Sequence, residues 1–162
     1  MAGVPAILDA GLKEVVALFT WWSLVRFAHV LSAVLWVGGQ LTLSLVVRRA
    51  AIETLEDETR STLFTTVGRS FGRMANFVLM PVLLGTGLAL IYHRGVDIGA
   101  LSVGSYGQIL TVKIILAFVS FGLAALHGAM ATRASAGASR AIGITGGLVS
   151  VVVVLLATAL VP

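Results

Sequence analysis

Four long apolar runs dominate the 162-residue sequence, at about 22–47, 73–92, 108–132 and 141–161. An α-helix rises about 1.5 Å per residue, so roughly 20 apolar residues cross the hydrocarbon core of a bilayer. Lipid offers no partner for an unpaired backbone amide, so each run is expected to be helical. The composition demands the same solvent. Charged residues make up 11% and hydrophobic residues 58%, and mean hydropathy is +1.03. A soluble domain carries about 25% charged residues, because water meets most of its surface. The expected fold class is all-α: one integral membrane domain, 1–162, an up-down four-helix bundle whose main partner is the lipid bilayer. Short second and third connections favour antiparallel neighbours. Pro81, inside the second run, is expected to kink that helix and free a carbonyl.

The formal charge of +4 does not point to nucleic acid, because the basic residues sit between the apolar runs, where they report topology. Arg48, Arg49, Arg60, Arg69 and Arg73 flank the first connection, and Arg133 and Arg140 the third. Lys13 and Arg94 are all that the N-terminal segment and second connection set against them. The expected location is the plasma membrane, multi-pass, with both termini outside. Residues 49–70 mix Glu53, Glu56, Asp57 and Glu58 with arginines and read as a helical cytoplasmic extension. Met1 to Ala10 lacks the basic start of a cleavable leader. The stretch 5–20 mixes Asp9, Lys13 and Glu14 with aliphatic residues before Trp21 and Trp22, the pattern of an interfacial helix entering an aromatic belt. Without cysteine, disulfides, thiolate metal sites and thiol catalysis are excluded.

Ionisable groups within a span are costly and usually face the bundle interior. At 3.6 residues per turn, Trp22, Arg26, His29, Ala33, Trp36 and Gln40 share one face of the first span. Lys113, Ala117, Ser120, Ala124 and His127 share one face of the third. That second stripe is polar at its ends and small between, which suits either a flat ligand or close helix packing. The fourth span carries no ionisable group and reads as scaffold. Gly85-Thr86-Gly87 and Gly146-Gly147 read as small-residue packing surfaces.

Depth sorts the candidates. His29 and Lys113 both fall roughly 9 Å above the midplane and His127 roughly 10 Å below it, by rise per residue. His29 and His127 therefore cannot share one iron. The single-haem arrangement with the smallest depth difference uses His29 and His93 as axial ligands, with Lys113, Arg26 or Arg94 beside the propionates. Plainer roles stand beside these: His93 as an interfacial histidine next to Tyr92, His127 bonded to Gln40 or Asn76, and Lys113 and Arg26 reaching for headgroups.

The run from His29 through Ser32, Trp36 and Gly38 to Gly39 resembles the first-helix signature of the copper-resistance D (CopD-like) membrane family. It is similar also to the related HemJ-type protoporphyrinogen oxidases. Phe71-Gly72-Arg73 with Gly85-Thr86-Gly87, and Val112-Lys113-Ile114 with His127 downstream, resemble later segments of the same group. The resemblance runs from Arg26 to His127. It implies a b-type haem with His29 and Lys113 important, and adds Trp36, Gly39 and His127 to the cofactor-binding candidates. Gln40-Leu41-Thr42-Leu43 stands where HemJ proteins carry a Tyr-Leu-Pro-Arg type run, which favours a CopD-like relative over a protoporphyrinogen oxidase.

Three functions are carried forward. One is a haem b protein near the outer face, for electron transfer or as a haem-dependent oxidoreductase, acting with a quinone or porphyrin. The second is copper handling through His29, His93 and Met80, although the methionines form no spaced cluster. The third is an accessory subunit of a larger membrane complex, or a homodimer, in which the polar groups only specify packing.

Overall fold

The computed structural model describes residues 20–97, 99–130 and 136–160; the interfacial helix expected over 5–20 lies outside them, Thr20 excepted. Thr20 opens the first helix with a reciprocal cap. Its hydroxyl accepts from the Ser23 N–H and the Ser23 hydroxyl accepts from the Thr20 N–H, each at 3.3 Å. From there α1 (Trp21–Leu41) passes through a π-helical stretch (Thr42–Val47) into α2 (Arg48–Thr54). A two-residue link, Leu55 and Glu56, turns the chain into α3 (Asp57–Met74). Asp57 and Glu58 in the first turn of α3 suit the positive end of its dipole.

A second π-helical stretch (Ala75–Leu79) leads into α4 (Met80–His93). Pro81 explains its position. The ring has no N–H to give and would strike the carbonyl four residues back, Phe77, and the wider π turn around Phe77 relieves that clash. The expected disturbance is therefore a local widening, one turn before the proline. After the next connection come α5 (Gly104–Met130) and α6 (Ala136–Thr158).

Among the described residues, four helical rods are thus long and apolar enough to cross a membrane. Exposure is inverted relative to a soluble protein. Phe77 is 79% and Leu88 68% exposed, whereas Ser120 and Ser150 are each 2% exposed. Lipid is the solvent this surface suits, and the protein is a multi-pass membrane protein with an all-α, four-helix architecture. The first two rods, of 34 and 37 residues, measure about 50 and 55 Å, well beyond a hydrocarbon core of about 30 Å. The segment 49–70 is accordingly helix on both sides of a tight link.

Packing proceeds in pairs: α1 along α4, α5 along α6, with α1 against α6 joining the two hairpins. Consecutive helices α4 and α5 hardly meet. The centre is Trp36, 4% exposed, buried with Ala75 and Leu79 and flanked by Leu83, Phe121 and Ala124. Its indole meets Phe121 edge-on at 5.2 Å and Phe71 in a stack at 6.2 Å. A side chain at Gly39 would run into the Phe71 ring, so the glycine is what lets that ring close over α1.

The connection between α4 and α5 is folded back on α5. Asp97 Oδ1 accepts from the Ala100 N–H at 2.7 Å, a 3₁₀ turn covers Ala100–Ser102, and the Thr111 hydroxyl donates to the Leu101 carbonyl at 2.8 Å. Gly104 takes a positive φ of 72° at the turn into the helix.

Candidate functional site

The antiparallel register of α1 and α4 decides which polar groups meet. His29 Nδ1 lies 2.9 Å from the Thr86 hydroxyl. Seven residues toward the N-terminus of α1 and the C-terminus of α4, Trp22 and His93 stack with ring centroids 3.9 Å apart and planes 12° from parallel. His29 and His93 therefore stand about 10 Å apart along the bundle, two helical turns. Each ring has its own partner in the structure, His29 the Thr86 hydroxyl and His93 the Trp22 indole. His93 is an exposed interfacial ring paired with Trp22.

The His29 contact fixes a tautomer. Thr86 Oγ1 sits 2.5 Å from the Val82 carbonyl, which can only accept, so the one hydroxyl proton points there. Were it turned toward the ring instead, two oxygens would face each other at that distance without a proton between them. Thr86 must then accept from His29, which places a proton on Nδ1 and, in the neutral ring, a bare lone pair on Nε2. Gly87 makes room for this: a Cβ there would lie 3.3 Å from His29 Cε1. In the sequence Thr86 stands out only within Gly85-Thr86-Gly87, as part of a small-residue surface and of the family resemblance, with no partner of its own. The signal that could have found it is the register, since Thr86 is as far below the outer end of α4 as His29 is below that of α1.

Lys113 is half-buried and within electrostatic reach of His29, with Arg94 in reach of Lys113. The matching height deduced for His29 and Lys113 agrees with this. Arg94 Nη1 donates to the Tyr106 hydroxyl at 2.7 Å and lies 5.6 Å from that ring's centroid. Arg26 shares the polar face of α1 by spacing but is exposed.

Trp36 and Gly39 belong to the aromatic core described above. The middle of the α5 stripe holds no open space for a flat ligand: Ala124 packs on the Trp36 cluster and Ser120 bonds Ser150 at 2.5 Å. Ser150 also donates to the Gly146 carbonyl at 2.9 Å and accepts from Gln40 Nε2 at 3.5 Å. Three helices are tied at one hydroxyl. The fourth span is thus a scaffold with a polar hub that a search for ionisable residues passes over. Gln40 is engaged there, and the His127 ring lies against Gly143, which leaves it room on α6. Asn76 is exposed.

Among the described residues no group of three or more His, Cys, Asp or Glu side chains is placed to hold a metal ion. What this end of the bundle offers is one oriented imidazole with the Lys113 amine in electrostatic reach. No protein-family model, characterised protein or solved structure matches this chain.

Proposed function

We propose that the chain is an integral membrane b-type haem protein in which His29 supplies one axial ligand in the outer half of the bilayer. The observation that supports this reading is the His29–Thr86–Val82 relay. A ligating histidine characteristically donates its other ring N–H to a fixed acceptor, which sets the tautomer and orients the lone pair. Arg26, one turn outward from His29, suits a propionate. A bound haem would be held through His29 and would supply one-electron chemistry. This chain's residues orient the imidazole and supply positive charge beside it. Electron transfer or oxidation with a quinone or porphyrin fits such a site, in keeping with the CopD-like and HemJ-like resemblance.

The orientation proposed with it puts both termini outside the plasma membrane and the α2–α3 hairpin in the cytoplasm. It is supported by the arginines of the first and third connections. An optical spectrum of protein purified from haem-replete cells tests the function. A Soret band that is lost in His29→Ala and kept in His93→Ala is expected; a colourless preparation refutes the reading.

A second reading, a non-catalytic subunit whose polar groups specify packing, draws on the complete satisfaction of buried polar side chains among the described residues. Stable co-purification with a fixed partner, without pigment, would favour it. Copper handling draws less support, because His29 and His93 are held apart.

A further inference from the structure

The C-terminal end of α4 and the N-terminal half of α5 gather positive charge that no acid among the described residues pairs. Arg94 closes α4 and is held by Tyr106 of α5. Lys113 lies seven residues further along α5, two turns deeper on the same face as Tyr106. Lys113 makes no hydrogen bond or ion pair with any described residue. The carboxylates Glu53, Glu56, Asp57 and Glu58 are all at the opposite end of the molecule. Asp97 is the one acid of the outer half among the described residues, and its Oδ1 is engaged by the Ala100 N–H.

Helices α4 and α5 are consecutive, yet they hardly meet, while each packs along another helix. An anion entering there from the headgroup layer finds a guanidinium at the surface and an amine on a flexible stem that can rise to meet it. An acyl chain finds a seam between two apolar helices. We propose that the outer end of the α4–α5 seam binds an anionic phospholipid, with Arg94 and Lys113 holding its phosphate and an acyl chain lying between the helices. Tyr106 positions Arg94 for this by hydrogen bond and ring contact. The site adjoins the haem reading at Lys113, which is in reach of His29, but its guanidinium, its Tyr106 contact and the α4–α5 seam lie outside the His29–Thr86 contact.

Native mass spectrometry of the full chain in detergent tests the proposal, with phosphatidylglycerol, phosphatidylcholine and inorganic phosphate as probes. Phosphatidylglycerol is expected to be retained about tenfold more tightly than phosphatidylcholine, a difference of about 1.4 kcal/mol. That preference should vanish in Lys113→Met, fall in Arg94→Gln, and largely persist in Lys113→Arg. Arg94 is exposed, so its variant reports on the site even if Lys113→Met fails to fold. Equal retention of the two lipids, or a preference unchanged in Arg94→Gln, overturns the proposal. So does displacement of the lipid by millimolar inorganic phosphate, which would indicate a site for free anions. Loss of haem from Lys113→Met with lipid preference intact would assign the amine to the haem and likewise overturn it.

Discussion

Thr86 carries the most specific residue-scale expectation. Thr86→Val keeps the shape of the side chain and removes the acceptor for His29 Nδ1–H. If His29 holds haem, the variant should fold normally but bind haem about 10- to 100-fold more weakly, the usual cost of losing a ligand's outer hydrogen bond. A haem titration followed at the Soret band measures this, and unchanged affinity would remove the orienting role of Thr86. Gly39 is argued from contact alone. Any side chain there meets the Phe71 ring, so Gly39→Val should cost about 1–3 kcal/mol by overpacking. Thermal unfolding in detergent, read by circular dichroism, checks it; a stability equal to the parent would mean that Phe71 moves aside freely.

At the scale of elements, the tie between helices through Ser150 is the feature to test. Ser150→Ala removes one acceptor shared by Ser120 and Gln40 and leaves both to find other partners. Hydrogen bonds between membrane helices are worth about 0.6 kcal/mol on average and up to about 1.7. A loss near the upper end is expected, because the hydroxyl bridges three helices and is buried. Denaturation in mixed micelles, comparing Ser150→Ala with Ser120→Ala, gives the measurement, and a loss below about 0.3 kcal/mol would contradict the hub. By contrast, the exposed Arg49–Glu53 pair, at 2.9 Å and with side chains 81% and 59% exposed, should contribute little. The π-helical stretch before Pro81 shows why elements resist sequence reading at their edges. A proline in a span announces a disturbance, but whether the chain kinks or widens depends on what packs beside Phe77.

For the whole molecule, the cysteine-free sequence makes topology directly measurable. Single substitutions Ser61→Cys in α3 and Ser105→Cys at the start of α5 place thiols at exposed positions at opposite ends of the bundle. A membrane-impermeant maleimide added to intact cells should label Ser105→Cys and spare Ser61→Cys. The reverse pattern would invert the orientation and carry the His29 site to the cytoplasmic side.

Hydrophobicity determined a great deal by itself. Span number, helical character and antiparallel order follow from lengths of apolar chain that lipid accepts only as helix, and they need no knowledge of neighbours. The depth of each polar group follows too, because rise per residue is constant, and so the shared height of His29 and Lys113 was legible. Depth is only one coordinate. Which helix stands beside which, and with what rotation, is set by side chains interlocking in three dimensions. Only the tertiary structure could therefore decide that His29 meets Thr86, that His93 meets Trp22 two turns away, and that the Trp36 face is filled by Phe71 and Phe121.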